Sequence, residues 1–402
     1  MSYLEKLLEG VTVEWKPLGE FADYEQPTKY LVDSSNYNDN FQIPVLTAGK
    51  TFILGYTDET GGIYKASEMP VIIFDDFTAA NKWVDFDFKA KSSAMKMITS
   101  KDKSKASLKY IYYWLNTLHS ELIDGDHKRQ WISNYSKKLI PIPCPEDSKK
   151  SIEIQQKIVD ILDKFTELTT ELTTELTARK QQYNYYREQL FAFDENEIQH
   201  LPLGDESIGE FQRGKRFVKT DLLTEGVPTI HYGEMYTHYG TWADTTKSFV
   251  SEELVKNKNL RLAQKGNVVI VAAGETIEDI GKGTAWLGDE DVVIHDACFS
   301  YKTVLNPKFV AYFTRTKQFH DQIKKHISSG KISAINAKGL GKTIIPIPSP
   351  EEQERIVSIL DKFDILTNSI SEGLPKEIEL RQKQFEYYRD LLLTFPKDEI
   401  IA

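Results

Sequence analysis

The second half of this 402-residue chain repeats three segments of the first half in the same order. The paired segments are LIPIPCPED at 139–147 and IIPIPSPEE at 344–352, IVDILDKF at 158–165 and IVSILDKF at 356–363, and RKQQYNYYREQLFAFDENEI at 179–198 and RQKQFEYYRDLLLTFPKDEI at 381–400. Between these segments the two halves share little sequence that can be aligned. A duplication that keeps its connecting segments while its other parts diverge indicates a common frame that presents two different surfaces.

The repeat predicts four consecutive regions. Variable globular blocks are expected at residues 1–147 and 199–350, and helical regions at residues 148–198 and 351–402. The chain is long enough for two or three domains with separate cores, at roughly 100 to 200 residues per domain. Its 40% hydrophobic and 27% charged residues are typical of a folded, soluble protein. The predicted fold class is α+β with an internal pseudo-twofold repeat.

Both helical regions carry apolar residues in the heptad spacing of a coiled coil. In the first region, eight of ten such positions are apolar or aromatic: Ile158, Phe165, Leu172, Arg179 and Tyr186, and Leu162, Thr169, Leu176, Tyr183 and Leu190. In the second region, EGLP at 372–375 should interrupt the helix, with Pro375 starting a second piece. Because long isolated helices are poorly stable, we expect the two regions to pack against each other rather than only on their own globular blocks.

The net charge of −10 is unevenly distributed. Residues 151–198 carry 5 basic and 10 acidic side chains, and residues 346–402 carry 7 and 12, whereas the globular blocks are nearly neutral. Within the first block, the stretch 89–109 contains seven lysines and one acid. Lysines beside small residues suit phosphate contacts, although a solvated surface explains such a cluster equally well. The DNA-binding candidates in this stretch are Lys89, Lys91, Lys96, Lys101, Lys103 and Lys105.

The second block has its own basic and aromatic clusters. Its candidates for phosphate contact flank glycines and are Arg213, Lys215, Arg216 and Lys331. The candidates for reading base edges are His231, Tyr232 and Tyr236, together with Asn36 and Asn38 of the first block. Asparagine can bond adenine in the major groove, but it is also a common turn residue. For these base-reading candidates a structural role is therefore the favoured interpretation, and base reading stays open.

No motif for catalysis or metal binding is recognisable in the sequence. GLGKT at 339–343 resembles the end of a Walker A motif, but Asn336 stands where that motif requires glycine. No two prolines are adjacent, so the Asn/Asp-Pro-Pro-aromatic tetrad of adenine methyltransferases is absent. The eight histidines and two cysteines form no metal-ligand spacing. No apolar run reaches the ~18 residues of a membrane helix, so a cytoplasmic location is expected.

The ordered set of repeated segments resembles the specificity (S) subunit of type I restriction-modification systems, over essentially the whole chain. The resemblance rests on the IPIP-P-E segments, the IVxILDKF helix starts, the YYR helix ends and the two dissimilar blocks between them. It implies that each block is a target recognition domain of mixed α/β structure that reads one half of a bipartite DNA site. It also implies that the helical regions form an antiparallel coiled-coil pair, which separates these domains and docks two methyltransferase (M) subunits.

The resemblance assigns the chemistry to partner subunits. The M subunits use S-adenosylmethionine to methylate an adenine that is flipped from the duplex. Restriction (R) subunits use ATP and Mg²⁺ to translocate and cleave DNA. The chain itself would bind no cofactor and catalyse nothing. Two other interpretations stay open: a coiled-coil scaffold without nucleic acid, and a self-contained DNA-modifying enzyme with an unrecognised site. Because EGLP interrupts only the second helical region, we do not expect the helical pair to be perfectly symmetric.

One four-residue word, TELT, occurs three times without interruption between Thr166 and Thr177. We call this segment the TELT spacer. Its leucines, Leu168, Leu172 and Leu176, lie four apart and therefore on one face of a helix. Members of the resembled family carry a comparable repeat whose copy number sets the gap between half-sites. Because four helical residues add ~6 Å, one copy of the word corresponds to one or two base-pair steps.

Overall fold

The computed structural model describes residues 6–7, 9–49, 51–118, 129–328, 330 and 332–395, with residue 133 described by its backbone alone. Contacts divide the chain into two compact units. Unit 1 comprises Met1–Leu172 and Ile378–Ala402, and unit 2 comprises Thr173–Glu377. Each unit thus combines a globular part with pieces of both helical regions. The predicted boundaries at 147, 198 and 350 stay predictions.

The globular part of unit 1 is built from small sheets. Its strands are β1 (Val13–Pro17), β2 (Ala22–Glu25), β3 (Ile43–Leu46), β4 (Ile53–Thr57), β5 (Val71–Asp75), β6 (Asn81–Val84), β7 (Lys89–Ala90), β8 (Met95–Ser100) and β9 (Leu139–Pro143). They pair in the orders β2-β8-β5-β6, β4-β3-β7 and β1-β9. Successive side chains of β5 alternate between two apolar clusters, with Ile72 and Phe74 in one and Val71 and Ile73 in the other. This strand is therefore apolar on both faces and buried throughout.

Unit 2 has the same kind of core around different sheets. Its strands are β10 (His200–Pro202), β11 (Gly209–Arg213), β12 (Val227–Ile230), β13 (Trp242–Ala243), β14 (Ser248–Val250), β15 (Leu262–Ala263), β16 (Val268–Val271), β17 (Ala273–Gly274), β18 (Gly283–Trp286), β19 (Val292–Ile294), β20 (Cys298–Thr303), β21 (Ser333–Ala334) and β22 (Ile344–Pro346). The larger sheets run β11-β20-β16-β18-β13 and β14-β12-β19-β15. Both contain parallel and antiparallel pairs, as does the β4-β3-β7 sheet of unit 1. Together with the helices between the strands, these sheets confirm the predicted mixed α/β structure of the two domains.

Among the described residues, seven helices are short and three are long. They are α1 (Leu108–Leu115), α2 (Gln130–Ser133), α3 (Ser148–Leu190), α4 (Glu234–Thr237), α5 (Glu252–Lys258), α6 (Pro307–Phe313), α7 (Lys317–Ile323), α8 (Ala337–Gly341), α9 (Pro350–Asn368) and α10 (Gly373–Leu393). The predicted interruption in the second helical region is confirmed, since it separates α9 from α10. Gly373 has φ of 78°, and a Cβ there would lie 2.3 Å from the Ile365 carbonyl oxygen. Only glycine fits this reversal, and Pro375 then occupies the first turn of α10, where its missing N–H costs nothing.

The long helices pack against each other within each unit. In unit 1 the ring of Phe165 in α3 stacks on Tyr388 of α10, with centroids 5.2 Å apart. In unit 2 the ring of Tyr186 in α3 stacks on Phe363 of α9, at 5.7 Å. Phe165 and Phe363 occupy equivalent positions in the sequence repeat, as do Tyr186 and Tyr388. The expectation that the two helical regions pack together is confirmed.

A hydrogen-bonded junction joins the globular part of unit 1 to α3. Asp163 of α3 accepts hydrogen bonds from Lys109 Nζ at 2.7 Å and from the Tyr113 hydroxyl at 2.5 Å. Burial, and then the bond to Asp163, raise the pKa of Tyr113 well above its usual value, so the phenol stays a donor. Gln155 of α3 also accepts the backbone N–H of Ser107, the residue that caps α1. We call this set junction 1.

Unit 2 contains the same junction, built from equivalent residues. Asp361 of α9 accepts hydrogen bonds from Lys308 Nζ at 2.8 Å and from the Tyr312 hydroxyl at 2.7 Å. Gln353 of α9 accepts the backbone N–H of Asn306, which caps α6. We call this set junction 2. Each globular part is therefore fixed to its long helix by the same bonds, although the globular sequences share little.

Candidate nucleic-acid interface

A pocket of about 460 Å³ opens in unit 2. Its lining combines cations, imidazoles and aromatic rings, and includes Arg213, Arg216, Phe217, Lys219, His231, Tyr232, Glu275, His295 and Asp296. We call it the unit 2 pocket. Four residues that the sequence suggested as DNA-binding candidates, Arg213, Arg216, His231 and Tyr232, meet here.

Strand register explains why two histidines face each other in this pocket. β12 and β19 are parallel neighbours, with Ile230 opposite Ile294. His231 and His295 are the next residues along each strand, so both emerge at the same sheet edge, with ring centroids 4.7 Å apart. The carboxyl ends of parallel strands are common ligand sites. Sequence reasoning missed His295, and the one local signal it shares with His231 is that each directly follows an isoleucine at the end of a strand.

Burial favours the neutral form of the two imidazoles. Burial lowers the pKa of His231 and of His295, and Asp296 opposes the shift at His295. Nδ1 of His231 accepts the Gly233 N–H at 3.3 Å, and Nδ1 of His295 accepts the Ala297 N–H at 3.1 Å. The neutral His231 ring then carries its hydrogen on Nε2. At His295 the Asp296 carboxylate also lies 3.0 Å from Nδ1, and the Phe217 carbonyl oxygen lies 3.0 Å from Nε2. No hydrogen bond among the described residues uses Nε2 of His231, which leaves that donor for a ligand.

The cations of this pocket lie at the end of β11 and on the segment that follows it. Arg213 donates from Nε to the Asp296 carbonyl oxygen at 2.9 Å, which fixes its guanidinium at the rim. The loop passes so close to β19 that a Cβ on Gly214 would lie 2.2 Å from the His295 carbonyl oxygen. Arg216 is exposed, as is Lys219, which sequence reasoning did not select. Three cations therefore flank the histidine pair, together with the carboxylates of Glu275 and Asp296.

Three other candidates of the second block are placed differently. Lys215 does not line the pocket and donates to the Lys258 carbonyl oxygen at 3.4 Å. The Tyr236 hydroxyl donates to the Ala273 carbonyl oxygen at 3.4 Å, and burial raises its pKa. Tyr236 thus serves the interior of the domain. Lys331 lies outside the described residues.

Two lysine candidates of the first block require correction. Lys89 is 2% exposed, and its Nζ lies 2.5 Å from Glu59 and 2.8 Å from the Gly61 carbonyl oxygen. Lys96 is 1% exposed, with Nζ 3.5 Å from Asp76. A buried, paired ammonium group cannot reach a phosphate without leaving its partner. We therefore remove Lys89 and Lys96 from the DNA-binding candidates.

Lys89 instead supports the asparagine-rich loop of the first block. Its partner Glu59 accepts the backbone N–H groups of Asp33 at 3.0 Å and Ser34 at 2.9 Å. These bonds hold the start of the loop that exposes the two asparagine candidates. Asn38 uses its Oδ1 to accept the N–H of Asn40, so its oxygen stabilises a turn. The side chain of the other candidate, Asn36, is exposed.

The other lysine candidates of the first block lie on the surface as separate groups. Lys91 is exposed beside the same loop, with Nζ 5.6 Å from the centroid of Tyr37. Lys101 donates to the Gly19 carbonyl oxygen at 2.6 Å. Lys103 and Lys105 are exposed next to it, after β8. These lysines remain candidates for phosphate contact, but they do not converge on one pocket.

The TELT spacer is helical throughout. Its leucines Leu168, Leu172 and Leu176 are half-buried, as expected for one face of a helix. Its threonine hydroxyls bond back along the helix, for example Thr166 to the Leu162 carbonyl oxygen at 3.1 Å and Thr177 to that of Thr173 at 3.0 Å. Such bonds satisfy the hydroxyls locally. The division between units 1 and 2 falls inside this segment, after Leu172.

No group of three or more histidine, cysteine, aspartate or glutamate side chains in the described part of the chain is arranged to hold a metal ion. Of the helices described, none is long and apolar enough to cross a membrane.

Comparison with known proteins identifies the family. Residues 11–179 and 201–380 each match the family model for the type I restriction modification DNA specificity domain. The Escherichia coli type I restriction enzyme EcoR124I/EcoR124II specificity subunit is 52% identical over 100% of this chain and 99% of its own length. The putative type I restriction enzyme specificity subunit S.HindORF215P of Haemophilus influenzae is 32% identical over 98% of both chains.

Solved structures give the same fold at low sequence identity. A type I restriction-modification S subunit from M. genitalium covers 99% of this chain and 100% of its own, with 16% identity and a TM-score of 0.52. A chain from a structural study of type I R-M system assembly and conformational transition covers 95% of this chain and 97% of its own, with 17% identity and a TM-score of 0.58. The resemblance inferred from the repeated segments is confirmed: the chain belongs to the family of type I restriction-modification DNA specificity subunits.

Proposed function

We propose that this chain reads a bipartite DNA site, with one half-site contacted by each globular part. The observation that carries this proposal is the contrast within the chain, in which one hydrogen-bonded junction occurs twice beneath two dissimilar surfaces. A repeated frame with different reading surfaces suits two different half-sites. The two matches to the DNA specificity domain model support the same assignment.

In unit 2, the unit 2 pocket is the proposed reading surface. Arg213, Arg216 and Lys219 would contact phosphates and orient the domain on the duplex. The Nε2–H of His231 and the ring of Tyr232 would then contact a base edge. The net charge of the whole chain, −10, does not oppose this, because the acidic residues are concentrated in the helical regions. Phosphate contacts of this kind make binding weaken steeply with salt.

In unit 1, the exposed asparagine-rich loop is the proposed reading surface. Asn36 would contact a base, since an amide side chain can donate to and accept from adenine. Lys91 lies beside the loop, and Lys101, Lys103 and Lys105 would contact the backbone of the same half-site. Glu59 would position the loop without touching DNA.

The chain would supply recognition, and partner subunits would supply the chemistry. By its resemblance to the family, it would bind two M subunits that methylate adenine with S-adenosylmethionine. R subunits would add ATP- and Mg²⁺-dependent translocation and cleavage. The assembly would work in the cytoplasm, where chromosomal and invading DNA are both accessible.

The long helix α3 would set the gap between the half-sites. One TELT word adds four residues, or ~6 Å of helix, which is one or two base-pair steps. The position of the spacer within α3 supports this role, because an insertion there lengthens a helix that contributes residues to both units.

The test is to co-express the chain with its cognate M subunit in cells that lack other adenine methylation and to map the modified adenines. We expect one bipartite motif with a fixed gap. Contiguous methylated sites would contradict the two-reader account. Absence of methylation from a complex that forms normally would favour a scaffold without nucleic acid. Methylation by the purified chain alone would show that it is itself the enzyme.

A further inference from the structure

The two helical regions differ in the number of residues between the contacts they share. Phe165 of α3 stacks on Tyr388, and Tyr186 of α3 stacks on Phe363. Tyr186 follows Phe165 by 21 positions, whereas Tyr388 follows Phe363 by 25 positions. Because both segments run between the same two contacts, the second helical region has four residues that α3 does not match.

This surplus equals the break between α9 and α10, which consists of residues 369–372. Ser369 accepts on its Oγ the N–H groups of Ser371 at 3.3 Å and Glu372 at 3.1 Å. A serine hydroxyl that bonds the backbone two and three residues on closes a compact turn. We call this segment the 369–372 turn.

The sequence around the 369–372 turn has the apolar spacing of an unbroken helix. Ile370, Leu374 and Ile378 lie four apart, as do the three leucines of the TELT spacer. In an unbroken helix such residues share one face. Instead, Ile370 is 85% exposed, whereas Leu374 is buried. The turn therefore leaves in water an apolar side chain that an unbroken helix would align with Leu374, which lowers the gain from folding.

Two residues after the turn prevent the helix from continuing. Gly373 has φ of 78°, and a Cβ there would lie 2.3 Å from the Ile365 carbonyl oxygen. Alanine at this position would therefore disfavour the turn. Pro375 lacks the N–H that an unbroken helix would bond to the carbonyl oxygen of residue 371. Replacement of both residues is needed to favour an unbroken helix.

We propose that the 369–372 turn is a second determinant of the gap between half-sites, because it takes up the difference in length between α3 and the second helical region. One more TELT word would give α3 25 positions between its two contacts, the number that the second helical region already has. The turn would then straighten, and loss of a word would enlarge it. Both stacked pairs survive either change. The effect on the DNA gap rests on the proposed function, whereas the change within the chain does not.

An unbroken second helical region would lack this freedom. At ~1.5 Å of rise per residue, its 25 residues match α3 with four TELT words and exceed α3 with three words by ~6 Å. With three words, one of the two stacked pairs would have to separate. The turn thus sets the range of word numbers, and with it the range of gaps, that the chain accepts.

The experiment combines an intact or a repaired turn with three or four TELT words in the full chain. The repaired turn carries Gly373→Ala and Pro375→Ala, which favour an unbroken helix. Each chain is co-expressed with the cognate M subunit, and methylated adenines are mapped. The intact chains should methylate bipartite motifs whose gaps differ by about one base pair. The repaired chain should methylate normally with four words and about tenfold more slowly with three, since separation of one stacked aromatic pair has an effect of that order.

A thiol at position 370 reports on the turn without DNA. The two cysteines of the chain are buried, so Ile370→Cys adds a thiol that can be distinguished from them. Labelling of the purified chain, read by mass spectrometry, should be fast with the intact turn and three words. It should be at least about tenfold slower with the repaired turn and four words, because burial protects a thiol. Glu372→Ala, an exposed change within the turn, is the control and should leave labelling and methylation unchanged.

Rescue of the repaired chain by a fourth word separates this effect from simple misfolding. Equal methylation by the repaired chain with three and with four words would overturn the proposal, as would fast labelling of the repaired four-word chain. If that chain labels slowly but the intact chains methylate no bipartite motif, the turn adjusts the frame as proposed and the proposed function is refuted.

Discussion

The two units agree where a globular part joins a long helix and differ where each would meet DNA. Asp163 and Asp361 each accept hydrogen bonds from a lysine and a tyrosine at equivalent positions, with distances between 2.5 and 2.8 Å. The proposed reading surfaces have no such correspondence. Unit 2 gathers cations around two imidazoles in a pocket, and unit 1 presents a loop beside separate lysines. The comparison teaches that the frame is the constant part of this protein and the reading surface the variable part.

The largest expected effect comes from breaking the constant part. Asp361→Asn leaves Lys308 without its charge partner, and the Lys308 side chain is only 20% exposed. We expect a loss of about 2 kcal/mol in the free energy of unfolding, because the ammonium group stays partly buried and unpaired. Asp163→Asn should cost less, since Lys109 is 35% exposed and can reach water. Urea denaturation of both variants measures the difference.

A surface ion pair supplies the control for this prediction. Lys256 and Glu252 form an i,i+4 pair in which both side chains are 76% exposed. Glu252→Gln should leave the urea midpoint nearly unchanged. Equal effects of the three variants would show that the junctions contribute no more than ordinary surface pairs.

The next effect tests whether the variable surfaces act separately. Arg216→Ala should weaken DNA binding by about 1 kcal/mol and reduce the salt dependence by about one phosphate contact. The loss should be the same whichever bases occupy the first half-site. Titrations of wild type and variant complexes at several salt concentrations give both numbers. Glu210→Gln, an exposed change on the preceding strand β11, serves as control. An unchanged salt slope would place the unit 2 pocket away from the DNA backbone.

A smaller effect is expected at the loop of unit 1. Glu59→Gln removes the carboxylate that pairs with Lys89, and weakens the bonds to the N–H groups of Asp33 and Ser34. Because the loop would lose its fixed start, discrimination among first half-site sequences should fall several-fold while second half-site discrimination stays intact. Methylation rates on DNAs with single substitutions in each half-site measure this. Equal losses at both half-sites would mean that Glu59 supports global stability only.

The smallest effect is a pH dependence carried by three histidines of unit 2. Burial lowers the pKa of His231, His295 and His320, all in that unit. Below the pKa of about 6.5 that histidines have in the unfolded chain, the unfolded chain binds more protons than the folded chain. The stability of the folded state that is present above this pH is therefore lost as the pH falls through and below it. Pulse-labelling hydrogen exchange after incubation in urea at pH 7.5 and 5.5 should show earlier opening of unit 2 peptides at the lower pH. Parallel changes in both units would contradict this assignment.

The frame was predictable from sequence because repetition made it visible. Heptad spacing indicated the packed helices, and EGLP indicated the break before α10. The junctions were missed because a lysine and a tyrosine four apart are unremarkable until an aspartate from a distant segment meets them. His295 was missed because its partner His231 is adjacent only through a parallel strand pair. Lys89 and Lys96 were misjudged because composition reports charge and does not report burial.

The most direct test of the account is to change the frame and leave both surfaces untouched. Deletion of residues 170–173 removes one TELT word from α3. Methylated adenines are then mapped genome-wide for the wild type and the deletion, each co-expressed with the M subunit. We predict the same two half-sites separated by a gap about one base pair shorter, since four helical residues span ~6 Å. Altered half-site sequences, or an unchanged gap, would contradict the separation of a spacing frame from two reading surfaces.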